Sequence, residues 1–331
     1  MTIRKRERLV LPLWAVLLVL PPLAVLFVGY QLQDLFGWQE PIADIQTKAT
    51  SARHEGIGRT RVLASLLPFM VAATMIAAWF VREFLWLLGS RSRGRLWIAI
   101  ATFGAAAIFF MAPQLRGISP ADASVLGKGF FAKAFENAQA TSGGMNWAVD
   151  LTGETVVPVA ILHVLVFVFS VFLTIGAGSA IVGTISCVAK PPRTRPRKTR
   201  RFYHDMQRAR IDGYLYASAF LLVSGLFFME AAHRWPAAYA ADRALFMQHV
   251  DALVLYNGIL YSLVLVAYYL PAAMLMRRFS AHPEQKTAAA DGQPSTVAER
   301  VSPSRLIKAF LALIAPAVAG VLSQLMEGAG L

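Results

Sequence analysis

Six stretches of this chain are apolar for long enough to cross a bilayer: near residues 9–30, 62–88, 95–114, 157–189, 213–233 and 250–276. A hydrocarbon core about 30 Å thick takes roughly 20 helical residues to cross. Inside it every backbone N–H and C=O needs a partner from the chain itself, so only helices or a closed barrel can span. A barrel reads as short segments of alternating polarity, whereas these runs are continuously apolar. The expected fold is therefore all-α, a polytopic membrane helical bundle of six transmembrane helices followed by a further C-terminal apolar helix. Composition agrees, because 56% of the 331 residues are hydrophobic and only 15% charged, a balance unlike that of a soluble domain.

The first run carries the pair Pro21-Pro22, which predicts a kink, and follows the basic start Arg4-Lys5-Arg6-Glu7-Arg8. It is too long for a signal-peptide core and reads as an uncleaved anchor. Short loops rich in Lys and Arg stay in the cytoplasm. With the N-terminus inside, 23 of the 32 basic residues fall on inner segments or inner helix ends and 9 on outer ones. The acids divide 8 to 11, so the two sides carry about +15 and −2. The net charge of +13 is thus a topology signal, and no nucleic-acid partner is expected. The expected location is the cell inner membrane, as a multi-pass protein with a cytoplasmic N-terminus.

Residues 1–276 form the expected six-span domain. Its outer loops, 31–61 and 115–156, are too short for a separate folded unit, although a weakly amphipathic run at Phe130–Phe135 suits the membrane surface. Residues 277–303, polar and rich in Ala, Pro and Ser, read as a flexible cytoplasmic linker. Residues 304–331 carry the last apolar helix, whose core from Ala309 to Leu322 contains Pro316 and Gly320. It fits either a seventh span or an interfacial or re-entrant helix folded onto the bundle.

Two constellations stand out. His163, Glu230, His233, His249 and Asp251 lie near the ends of three spans that alternation brings to the same, outer side. Glu230 and His233 share a helical face, the spacing of Glu-x-x-His ligand pairs in helical metal sites. Such a set suits a metal or a proton relay, and two histidines on neighbouring helices suit haem. The plainer reading is that helix ends tolerate these residues in the headgroup region, with the acids capping helices or pairing with Arg234 and Arg243. No cofactor is expected on that reading. The second constellation is the tract Lys190, Arg193, Arg195, Arg197, Lys198, Arg200 and Arg201. Three prolines, Pro191, Pro192 and Pro196, keep it extended, and its charge suits anionic lipid headgroups or a cytoplasmic protein partner. Gly176, Gly178, Ala180 and Gly183 in the fourth run read as a close-packing helix surface.

The chain contains no P-loop, H-E-x-x-H, G-x-S-x-G or dinucleotide fingerprint, so nothing points to an enzyme. Cys187 is the single cysteine, which excludes an internal disulfide and a thiolate cage. Three functions suit what remains. The first is a pore or small-solute transporter, since runs 1–3 and 4–6 have opposite orientations, as in inverted repeats. The near-absence of midplane charge then points to a neutral solute. The second is a non-transporting module for signalling, assembly or membrane perturbation, working through the basic tract and the C-terminal helix. The third is a membrane oxidoreductase using the outer histidines. Each is compatible with a homo-oligomer.

Overall fold

The computed structural model describes residues 18, 20–29, 31, 32, 35, 52–89, 104, 158–187, 197–291 and 303–328. Almost all of these are helical, and there is no strand among the described residues. In chain order the helices are α1 (Leu20–Gly29), α2 (Ala52–Gly89), α3 (Pro158–Cys187), α4 (Arg197–Arg234), α5 (Arg243–Asp291) and α6 (Pro303–Gly328). A short 3-10 turn, Trp235–Tyr239, joins α4 to α5. Four of the helices, α2 to α5, are long and apolar enough to cross a membrane, within Gly56–Arg82, Phe167–Thr184, Asp205–Tyr239 and Arg243–Met276. The expected third run, 95–114, lies outside the described residues except for Gly104, as do the loop 115–156 and its Phe130–Phe135 run.

The helices outrun the apolar runs that predict them. Helix α2 begins at Ala52 and not near 62, and α4 begins at Arg197, sixteen positions before the expected span. Arg197, Lys198, Arg200 and Arg201 are therefore helical and not extended as expected, while Lys190, Arg193 and Arg195 lie outside the described residues. No proline follows Pro196 until Pro236, and Arg, Lys, Gln and Met are good helix formers. Helix α5 likewise continues to Asp291, so the first fifteen positions of the expected linker are helical. A hydropathy pattern ends where the hydrocarbon ends, whereas a hydrogen-bonded helix does not have to. Residues 20–29 are helical through Pro21 and Pro22.

Helix α4 is the hub of the bundle and packs on α2, α3, α5 and α6. It runs antiparallel to α2, with Gly58 against Trp235, Gly225 against Phe69, and Trp79 edge-on to Tyr214 at 6.0 Å between ring centres. It also runs antiparallel to α3, where Phe169 stacks on Phe228 at 4.7 Å and, from its other side, on Phe69 at 4.4 Å. Helices α2 and α3 are consequently parallel. Buried Val62, Leu66, Phe69, Ala73 and Ile76 face this core, while Leu63, Leu67, Val71, Met75 and Trp79 form an outward stripe at four-residue spacing. Lipid removes the hydrophobic penalty for that stripe, so helices associate through close packing and interhelical hydrogen bonds. Gly176 fits this role: a Cβ there would lie 2.7 Å from Leu221 Cδ2 and 3.5 Å from Ala73 Cα.

Helix α6 lies antiparallel along α5 and also touches α4. Its contact face is small: Ala309, Ala312 and Ala319 are buried, whereas Ile307, Phe310, Leu311, Val318 and Leu322 point away. Pro316 has no N–H to donate and its ring crowds the preceding turn. The helix nevertheless continues from Pro303 to Gly328, and the N–H of Ala317 donates to Ser262 Oγ of α5 at 3.1 Å. A neighbouring serine thus satisfies a backbone donor displaced by proline, a standard condition for proline inside a membrane helix. The approach is backbone to backbone, since a Cβ on Gly258 would lie 2.6 Å from the Pro316 carbonyl oxygen.

Candidate functional site: two polar clusters in the bundle

The first cluster occupies the corner where α4 turns into α5. Trp235, Pro236, Ala237 and Tyr239 of the 3-10 turn are buried, and Pro236 stands in its first turn, where a missing N–H costs nothing. Helix α5 then starts at an N-cap, with Leu245 N–H donating to Asp242 Oδ1 at 2.9 Å. This corner fixes the last turn of α4 against the first turns of α5. Arg234 Nη2 there reaches Glu230 Oε1 at 3.1 Å and Asp251 Oδ1 at 3.0 Å. The three side chains are only 13–23% exposed, so the guanidinium clamps two carboxylates from two helices in a poorly hydrated place.

Four of the five residues singled out at the helix ends are described here. Glu230 and Asp251 share Arg234. His233 is buried with Nδ1 against the Met229 carbonyl oxygen of its own helix. His249 Nδ1 lies 2.8 Å from the Leu245 carbonyl oxygen. Each ring is thus tied to the preceding turn of its own helix, and among the described residues no three His, Cys, Asp or Glu side chains converge as a metal set would. His163 sits in the second turn of α3, and its side chain lies outside the described residues, as do Lys190, Arg193 and Arg195 and the side chains of Arg197, Lys198, Arg200 and Arg201.

The second cluster was not singled out in the sequence. Tyr268 of α5, 4% exposed, donates its hydroxyl to the Ala180 carbonyl oxygen of α3 at 2.8 Å and also meets the Thr184 hydroxyl. Ser218 and Tyr214 of α4 and Cys187 of α3 stand beside it. Further toward the corner on α5, Tyr261 donates to Met229 Sδ at 3.1 Å, and Asn257 Nδ2 donates to the Leu253 carbonyl oxygen at 2.9 Å. Asn257, Tyr261 and Tyr268 follow one another at four and seven residues, which is a single helix face. Helix α3 contributes buried Ser170, Thr174, Ser179 and Thr184, and α4 contributes Ser218 and Ser224. Thr174 and Ser224 hydroxyls donate to carbonyls four residues back, which lets such residues lie in an apolar helix. The periodic Asn257/Tyr261/Tyr268 spacing was the available signal in the sequence.

Together the two clusters give the bundle a charged clamp at one end and an uncharged, hydroxyl-rich interior. Comparison with known protein families, curated proteins and solved structures found no match for this chain.

Proposed function

We propose that the chain is a multi-pass protein of the cell inner membrane, with its N-terminus cytoplasmic, that forms a pore or carrier for small neutral solutes. The observation that carries this reading is the uncharged polar interior: Asn257, Tyr261 and Tyr268 on one face of α5, with Ser170, Thr174 and Thr184 on α3 and Ser218 on α4. Buried polar groups are expensive in hydrocarbon and mark pathways when they gather between helices. No Asp, Glu, Lys or Arg occurs in 164–187, 213–229 or 252–272, so the interior suits solutes that hydrogen-bond without charge.

Helix directions support the topology. Helices α2, α3 and α5 run one way, α4 and α6 the other. Gly89 and Pro158 therefore stand at opposite ends of the bundle, which leaves room for the expected crossing at 95–114. Helix α6 has 26 residues, of which Ile307–Leu322 are apolar, about 24 Å of helix; its antiparallel packing along α5 is what supports a seventh span. The positive-inside bias puts the Trp235–Tyr239 corner outside.

The test is release of ions and of small neutral solutes from liposomes holding purified protein, compared with a chain ending before Ser304. Neutral-solute release without ion release, altered by the truncation, is the expected result. No release from folded protein would remove the transport reading.

One observation favours an interaction module as the second reading. Helices α4 and α5 continue as helix beyond their apolar windows at the same end, to Arg197 and to Asp291. A pair of helices emerging on the cytoplasmic side, one starting in the tract Lys190, Arg193, Arg195, Arg197, Lys198, Arg200 and Arg201, suits anionic headgroups or an acidic partner.

A further inference from the structure

We infer that the side-chain oxygen of Asn257 is the point at which a small neutral hydrogen-bond donor, a water molecule or a hydroxyl-bearing solute, binds on its way through the bundle. The inference deepens the transport reading and rests on it. Asn257 is 1% exposed, and its Oδ1 is buried with no hydrogen-bond partner among the described residues. A primary amide oxygen accepts two hydrogen bonds, and leaving it bare in an apolar medium costs several kcal/mol. Turning the amide over does not relieve it, because Oδ1 would then face the Leu253 carbonyl oxygen, which now accepts from Nδ2 at 2.9 Å. The amide is held by its donor end, with its acceptor end pointing at something that donates.

Its position says what that is. Asn257 precedes Tyr268 by eleven residues, so it lies on nearly the same face of α5, about 16 Å nearer the Trp235 corner. Tyr268 reaches across to Ala180 and Thr184. Because α3 and α5 run parallel, the same offset brings residues 169–173 of α3 level with Asn257. That level carries buried Ser170, with Thr174 one residue beyond it. Helices α3 and α5 otherwise touch little. Asn257 and Ser170 thus stand at one level of the bundle, beside the Phe69/Phe169/Phe228 stack, with Tyr268 and Thr184 bridging α5 and α3 nearer the opposite end. With no ionised side chain on the facing stretches, a neutral donor is the occupant this chemistry selects.

The test has two arms. A structure of the full chain in lipid, at a resolution that resolves waters, is expected to show density at about 2.7–3.2 Å from Oδ1. A bare oxygen in an apolar surround would overturn the inference, whatever the flux. Water and glycerol permeabilities of proteoliposomes are then compared for the wild type, Asn257→Leu and Asn257→Ser. Asn257→Leu is expected to lower permeability at least tenfold, and Asn257→Ser, which restores a hydroxyl, to recover part of it. Loss for glycerol alone identifies a solute site, and loss for both identifies a water path. Unchanged permeability in folded Asn257→Leu overturns the inference while the transport reading stands. No flux from wild type, with density present at Oδ1, removes the transport reading and leaves a structural water.

Discussion

Replacing Gly258 by alanine turns the α5–α6 contact into a measurement of sign. In a helix with nothing beside it, Gly to Ala stabilises by about 1 kcal/mol, because glycine has more backbone freedom to lose. Here the added Cβ would lie 2.6 Å from the Pro316 carbonyl oxygen, 3.3 Å from its carbonyl carbon and 3.4 Å from Ala317 Cα. These are backbone atoms, so no rotamer change can make room. Helix α6 must retreat by most of an ångström to reach ordinary contact. That retreat also stretches the 3.1 Å bond from Ala317 N–H to Ser262 Oγ, the partner that makes Pro316 tolerable. Overpacking of this kind costs roughly 1–3 kcal/mol, and a strained interhelical hydrogen bond adds about 0.6. The helix-propensity gain is outweighed, and Gly258→Ala is expected to destabilise by roughly 1–2 kcal/mol net. Reversible unfolding in mixed micelles measures this, with Ser262→Ala alongside. A more stable Gly258→Ala protein would refute the docking, since only an α5 without α6 against it gains from the methyl group.

Three further outcomes follow from contacts described above. Arg234→Met strands Glu230 and Asp251 together in a mostly buried corner and is expected to cost about 2 kcal/mol, more than Asp251→Asn; equal melting of the two variants would argue against the clamp. Asp242→Ala removes the N-cap of α5 and is expected to cost about 1 kcal/mol, read as faster amide hydrogen exchange at Leu245 and its neighbours. Replacing Arg193, Arg195, Arg197 and Lys198 by Gln is expected to weaken cosedimentation with anionic liposomes, each cation near the surface contributing about 1 kcal/mol. Binding that survives all four changes would assign the tract to topology alone.

The all-helical character was plain in the sequence because hydropathy registers lipid exposure directly, and α2 to α5 fall on four of the six expected runs. Helix ends were illegible for the complementary reason: Ala52 to Arg61 and Arg197 to Asp212 are helical without being apolar. At the corner, pairing of the acids with Arg234 and Arg243 was one of several readings the sequence left open, beside helix capping, a metal or proton set and haem. Spacing alone cannot say whether Glu230 turns to His233 or to Arg234, and the structure has it at Arg234. The Tyr268 cluster was hidden because hydropathy averages a hydroxyl into its apolar neighbours. Only the sidedness of Asn257, Tyr261 and Tyr268 separates a buried polar face from scattered tolerance.

The central position of α4 also has a consequence for biogenesis. Helices leave the ribosome in order, and the stacked Phe69/Phe169 pair of α2 and α3 gains its third ring only when Phe228 of α4 arrives. The three-ring stack is therefore completed only with the fifth expected span, on a contact between α2 and α3 that can form before it. Helix α6 is the last of the described helices, so during synthesis the α5 groove at Gly258 and Ser262 stays uncovered by it until Pro316 arrives. A chain stalled before residue 303 would carry that groove unfilled, available to any small-faced helix in the same membrane.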